Sequence, residues 1–135
     1  MAMETSTQVL IVGLGRLGGT LAAALDSRCV LQTVSAREVA GGKSVGALSP
    51  DAVVLVTTRD DCIAETVTAL AASGALTASP VVLHCSGALG LEVLSASSDA
   101  GCAVGSVHPL QTFPSVQEGL AALATTPWFF EGDDR

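Results

Sequence analysis

The apolar run Val9-Leu10-Ile11-Val12 is followed at once by Gly13-Leu14-Gly15-Arg16-Leu17-Gly18, a G-x-G-x-x-G placed where a strand gives way to a helix. No other feature restricts the fold of this chain so strongly. Glycines in that spacing permit a tight strand-to-helix turn, close approach of backbone N–H groups to an anion, and intimate packing of helix on strand. A pyrophosphate set against a helix N-terminus is the ligand that such a turn suits. Gly13, Leu14, Gly15, Arg16, Leu17 and Gly18 are therefore candidate cofactor-binding residues. The same glycines also serve packing alone, in a βα turn that holds no ligand.

Beyond this turn, short apolar runs alternate with helix-like stretches. The pattern predicts strands over 8–13, 30–35, 52–58, 80–85, 102–107 and 128–131, and helices over 16–26, 61–72, 89–95 and 116–124. Such alternation specifies an α/β fold, a doubly wound parallel sheet in three layers, αβα, forming a single domain over 8–135 behind a flexible N-terminus at 1–7. Thr58-Arg59-Asp60-Asp61 and Ser115-Val116-Gln117-Glu118 both carry the Ser/Thr-x-x-acid signal of a helix start. Residues 36–50 hold Gly41, Gly42, Gly46 and Pro50 and read as a loop or a ragged short helix.

Apolar residues make up 49% of the 135 positions and aromatics 3%, so the interior is built from Val, Leu and Ala. Strands buried on both faces have this composition. The net charge of −7 and the absence of any Lys or Arg between Asp60 and Asp134 exclude a nucleic-acid partner and an anionic membrane surface, both of which need a basic patch. An anionic ligand must rely on backbone N–H groups and on Arg16, Arg37, Lys43 and Arg59. Cys29, Cys62, Cys85 and Cys102 are far apart, with no C-x-x-C pair for zinc or redox work, and read as small core residues. No metal-ligand cluster is present. The N-terminus lacks the basic and apolar regions of a signal peptide, so a reducing cytoplasm is the expected setting.

The end of the second strand distinguishes between dinucleotides. An acid there binds the ribose 2′-hydroxyl of NAD, whereas Arg and small polar groups accommodate a 2′-phosphate. This chain reads Val34-Ser35-Ala36-Arg37-Glu38, which favours NADP over NAD and disfavours FAD. The alternative for Arg37 is a solvated surface charge.

In open α/β sheets the reactive end of a ligand lies beyond the carboxyl ends of the strands. Thr57-Thr58-Arg59-Asp60, His84-Cys85-Ser86-Gly87 and Ser106-Val107-His108-Pro109 place polar groups there, with Thr57 and Thr58 as further cofactor-binding candidates. Histidine is the side chain best suited to proton transfer near neutral pH. His108 is the better candidate, since Pro109 disfavours a helical conformation at His108 and places it in a loop. Its alternative is a loop-anchoring hydrogen bond. His84 reads as a satisfied core histidine. Ser86 either caps the following helix or, with the next backbone N–H groups, binds a substrate carboxylate or carbonyl. Cys85 has no basic neighbour in sequence to activate its thiol. The chain has no Tyr, which excludes a Tyr-x-x-x-Lys proton relay.

The segments 11–18, 54–61, His84-Cys85-Ser86-Gly87-Ala88-Leu89-Gly90 and Val107-His108-Pro109-Leu110-Gln111-Thr112-Phe113-Pro114 together resemble bacterial Rossmann-like proteins related to 6-phosphogluconate dehydrogenase and pyrroline-5-carboxylate reductase. In those proteins the domain is followed by a helical domain of unknown function. The resemblance spans about residues 8–134 and implies an NADP-binding domain of an oxidoreductase, with a small-molecule substrate. A looser similarity to prephenate dehydrogenases, which carry a His-Pro and a serine turn after corresponding strands, implies His108 as general acid/base and Ser86 as its orienting partner. Leu110-Gln111-Thr112 departs from the methionine and glycine of those enzymes. The resemblance also implies that the helical domain is absent here, so that a homodimer or a partner would complete the substrate site. The alternative from another class is a non-catalytic NADP-binding sensor or scaffold module.

Overall fold

The computed structural model describes residues 7–133. The expected flexible N-terminus at 1–7 lies outside them except for Thr7, whose carbonyl accepts the Val30 N–H at 2.8 Å. The apolar runs become parallel strands β1 (Gln8–Val12), β2 (Val30–Val34), β3 (Val53–Val56), β4 (Val81–His84) and β5 (Val104–Pro109), each within two residues of its predicted bounds. Between them lie α1 (Arg16–Leu25), α2 (Ala36–Ala40), α3 (Ile63–Ala72) and α4 (Ser95–Asp99), with α5 (Val116–Ala122) after β5. The chain closes on β6 (Trp128–Gly132), and the sheet order is β2-β1-β3-β4-β5-β6.

The sheet is not wholly parallel. β6 runs antiparallel to β5, with Trp128 opposite Pro109 and Gly132 opposite Gly105. After α5 the chain re-enters at the C-terminal end of β5, where the Leu110 N–H donates to the Pro127 carbonyl at 2.8 Å, so the last strand must run back. His108 is consequently in a strand rather than a loop, paired with Phe129.

One face of the sheet is closed by a helix with a clear apolar stripe. Ile63, Thr66, Val67 and Leu70 recur at the spacing of a single α-helical face and are buried in α3. With Leu10, Val12, Val54, Val56 and Val82 they form the main core, where each fully buried aliphatic side chain stabilises the fold by about 1.5–3 kcal/mol. Ile11, fully buried between Leu10 and Val12, points to the opposite face.

Helix starts follow local chemistry more closely than the sequence signals indicate. Ser115 caps α5 as expected, its Oγ accepting the Glu118 N–H at 3.1 Å. Thr58 does not cap α3: its hydroxyl donates to the Arg59 carbonyl, and a 3-10 turn over Asp60–Cys62 precedes the helix. The predicted helix over 89–95 begins later, as a 3-10 turn at Leu91–Leu94 leading into α4, because the preceding residues are held in a turn described below.

On the other face α5 rests on α1 through glycines. A Cβ at Gly19 would meet Cγ2 of Val116 at 2.8 Å, and one at Gly119 would meet Thr20 Oγ1 at 2.5 Å and Phe113 Cδ1 at 2.7 Å. The helices approach as they do only because these side chains are missing. Gly119→Leu should therefore lower stability by about 1–3 kcal/mol, the usual penalty of overpacking, measured as a shift in the urea midpoint. An unchanged midpoint would show that α5 is not docked in this way.

Candidate functional site

Chain order reverses between β1 and β3, and at that point the glycine turn is bound into the sheet. The Gly13 N–H donates to the Val34 carbonyl at 2.8 Å, and the Thr57 N–H donates to the Val12 carbonyl at 2.9 Å. The Thr57 hydroxyl adds a 2.6 Å bond to the Gly13 carbonyl. Gly13 has φ +106°, a left-handed conformation suited to glycine, and a Cβ there would press on the Thr57–Thr58 backbone at 2.9 Å.

The three fingerprint glycines perform different tasks. Gly18 is buried, and a Cβ on it would strike the Gly13 carbonyl oxygen and, at 2.6 Å, the Thr57 hydroxyl. Its role is contact between helix and strand. Around Gly15 there is no atom within 4 Å of a built Cβ, and no side chain caps the N-terminus of α1. The turn thus presents a bare backbone to open space, and the first N–H groups of a helix favour an anion there.

That space is a cleft of about 420 Å³ lined by Gly13, Leu14, Gly15, Arg16, Ser35, Ala36, Thr57, Thr58, Arg59 and Cys62. Most of the residues singled out from the sequence are therefore brought together. Leu17 and Gly18 belong to the body of α1, and Arg37 is exposed and off the cleft wall. Arg59 is exposed and salt-bridged to Asp61 at 2.8 Å.

Ser35 has a local role that the sequence reading missed. Its hydroxyl accepts the Glu38 N–H at 3.1 Å while the Glu38 carboxylate accepts the Ser35 N–H at 2.8 Å, a reciprocal capping box that starts α2. The signal was present as Ser35-Ala36-Arg37-Glu38. The second Glu38 oxygen holds Lys43 at 2.8 Å, and the lysine together with the Ser35 bonds lowers the carboxyl from an ordinary 4.5 to about 2.

A second cleft, of about 150 Å³, opens beyond β4 and β5 and is lined by Ser86, Gly87, Leu89, Ser106, His108, Phe129, Phe130 and Glu131. His84 anchors the turn that borders it. It is fully buried, its Nδ1 accepts the Ser86 N–H at 3.0 Å, and its Nε2 lies 2.9 Å from the Gly90 carbonyl. Since Nδ1 accepts, Nε2 must carry the proton that Gly90 receives. This neutral ring clamps the turn from Ser86 to Gly90. The Ser86 hydroxyl accepts the Ala88 N–H at 3.2 Å, keeping its own proton to donate into the cleft.

His108 is held without hydrogen bonds. A Cβ at Gly87 would lie 2.6 Å from Cε1, 2.8 Å from Nδ1 and 2.9 Å from Nε2, so the ring packs flat on that glycine. On the strand side it stacks with Phe129, centroids 6.0 Å apart at 27°. Neither ring nitrogen has a hydrogen bond among the described residues. Ser106 and Glu131, which sequence reasoning did not select, share this face: Ser106 lies two residues before His108, and Glu131 is directly opposite Ser106 on β6. Alternation along β5 could have identified Ser106; Glu131 needed the pairing of β6.

Burial pushes the Cys85 thiol up to about 12, which disfavours the thiolate. Cys102 is fully buried in the core, whereas Cys29, Cys62 and Cys85 are partly exposed. Among the described residues no group of three or more His, Cys, Asp and Glu could hold a metal ion, and no helix is long and apolar enough to cross a membrane.

Residues 43–109 match the family model described as Rossmann-like domain. The match begins after the glycine turn and ends after His108, and it points to a nucleotide-binding module on grounds independent of the G-x-G-x-x-G. A search of curated proteins finds no match to the chain.

Two outcomes follow. Gly87→Ala should displace the His108 ring and destabilise the fold by about 1–3 kcal/mol, and the NMR signals of that ring should lose the shielding of Phe129; unshifted signals would exclude the packing. Glu38 has a folded value below its ordinary one, so its contribution to stability is present above about pH 4.5 and is lost as pH falls toward 2. The melting-temperature gap between the native chain and Glu38→Gln should accordingly narrow across that window, and a constant gap would show that the carboxylate bonds do not persist in solution.

Proposed function

We propose that this chain is the NADP-binding domain of an oxidoreductase that moves a hydride between nicotinamide and a small carbonyl, imine or hydroxy substrate. The observation that carries the reading is the relation of the two clefts. One is at the β1/β3 reversal around the bare Gly15 backbone, and the other is beyond β4 and β5 around His108. They centre on β1 and β5, three strand spacings apart along the rim, roughly 14 Å. A dinucleotide whose pyrophosphate rests on the first cleft has its nicotinamide end directed along the strand termini toward the second.

The residues present fit such a cofactor. Gly15 and Arg16 would receive the pyrophosphate, with Gly13 and Thr57 bracing the turn and Thr58 on the opposite wall. Ser35, whose hydroxyl proton is not used by the capping box, supports a 2′-phosphate, with Arg37 just beyond. Glu38, the nearest acid, is already engaged by Lys43 and Ser35 and is not free to receive the 2′-hydroxyl of NAD.

The nicotinamide supplies the hydride. The chain supplies orientation and the proton: the Ser86 hydroxyl donates to the substrate oxygen, and His108 gives or takes a proton at a ring nitrogen. Because its ring is packed on both sides, His108 reaches the substrate without prior rearrangement.

Gly15 separates a ligand role from a packing role. A Cβ at Gly15 has no atom within 4 Å beyond its local backbone, so Gly15→Val should fold with a near-native melting temperature and yet lose NADPH affinity by at least about tenfold, near 1.4 kcal/mol. Titrations should also give tighter binding of NADPH than of NADH. Full NADPH affinity in a folded Gly15→Val would remove the glycine turn from the cofactor site.

A further inference from the structure

We infer that the His108 cleft takes a substrate bearing a positively charged nitrogen, of the amino alcohol or amino ketone class, and that Glu131 selects it. The inference rests on the oxidoreductase reading and names its substrate class. The first observation concerns anion donors. A turn of small residues such as 86–90 would ordinarily offer backbone N–H groups to a carboxylate, yet here the Ser86 N–H is given to His84 and the Ala88 N–H to the Ser86 hydroxyl. Two of the turn's five N–H donors are thus used within it.

The second observation concerns charge. Among the described residues no lysine or arginine lines the cleft, and the carboxylate on its wall is Glu131. That carboxylate has no ion pair or hydrogen bond among the described residues. An incoming anion would meet a like charge with no lysine or arginine of the described lining to offset it, whereas a cation finds an unpaired partner.

The third observation concerns spacing. Ser106 faces Glu131 and His108 faces Phe129 across the β5–β6 ladder, so His108 and Glu131 are diagonal neighbours on one face. Such positions are about 7–8 Å apart, enough for a two- or three-carbon chain between a reacting carbon at His108 and a cationic nitrogen at Glu131. In the oxidising direction the carbinol carbon passes its hydride to NADP, the hydroxyl proton goes to His108, and the C–O single bond becomes C=O. The products are an amino carbonyl compound, NADPH and a protonated imidazole that returns its proton to water.

The test uses the whole chain saturated with NADP and follows the His108 ring protons by NMR while 3-amino-1-propanol or 3-hydroxypropanoate is added. These probes share a hydroxyl and a chain length and differ in the sign of the distal charge. The ammonium probe should bind at least about tenfold more tightly; Glu131→Gln should reduce that preference to about threefold or less, and Glu131→Lys should invert it. Equal or tighter binding of the acid, no response to either probe, or a preference untouched by Glu131→Gln would each overturn the inference. Failure of NADP itself to bind would instead remove the reading on which it rests.

Discussion

The knot at the end of β1 is the constraint on which the rest of the molecule depends. Gly13 is bonded to β2 through Val34, Thr57 is bonded to β1 through Val12, and the Thr57 hydroxyl holds the carbonyl that Gly18 must pass. Three strand ends are thereby fixed to one another at the place where chain order reverses. The direction of α1, the opening of the cleft in front of Gly15 and the site where α5 docks are all set from there. A side chain on Gly13 or Gly18 would loosen the whole arrangement, whereas Gly15 is exempt and is left to face outward.

The two clefts are built on different physical terms. Around Gly15 the protein presents backbone, with arginines at the rim and no carboxylate on the lining. Around His108 it presents side chains, with a turn that uses the Ser86 and Ala88 N–H groups internally and with Glu131 at the edge. Positive charge is gathered at one end of the sheet's rim and negative charge at the other. The division follows the sequence, since every basic residue before Arg135 precedes Asp60.

Much of this was legible without coordinates. Runs of Val, Leu and Ile marked the parallel strands because strands covered on both faces have no polar positions to hide. Ser115 announced α5 because its cap is a purely local bond. What was not legible was direction and partnership. The Trp128-Phe129-Phe130 run reads the same whether its strand is parallel or antiparallel, and only the 110–127 hydrogen bond turns it back. Thr58 carries a capping signal equal to that of Ser115, yet it lies beside the Thr57 brace at the end of β3 and the helix starts past a 3-10 turn. In the opposite sense, the Ser35 box is purely local, written in the sequence as Ser35-Ala36-Arg37-Glu38. Glu131 entered the site through β-pairing, which no local pattern encodes.

The packing of His108 between Gly87 and Phe129 has a consequence for binding entropy. A side chain anchored by hydrogen bonds must exchange them for those of a ligand, and a free one must surrender its rotamers, at a cost of about 0.5–1.5 kcal/mol. This imidazole does neither, because its orientation is fixed by contact on its two faces when β5 and β6 pair. Both nitrogens remain at the ring edge with no bond to give up. The ordering that a ligand would otherwise have to impose is completed during folding, and the glycine beneath the ring is what makes that possible.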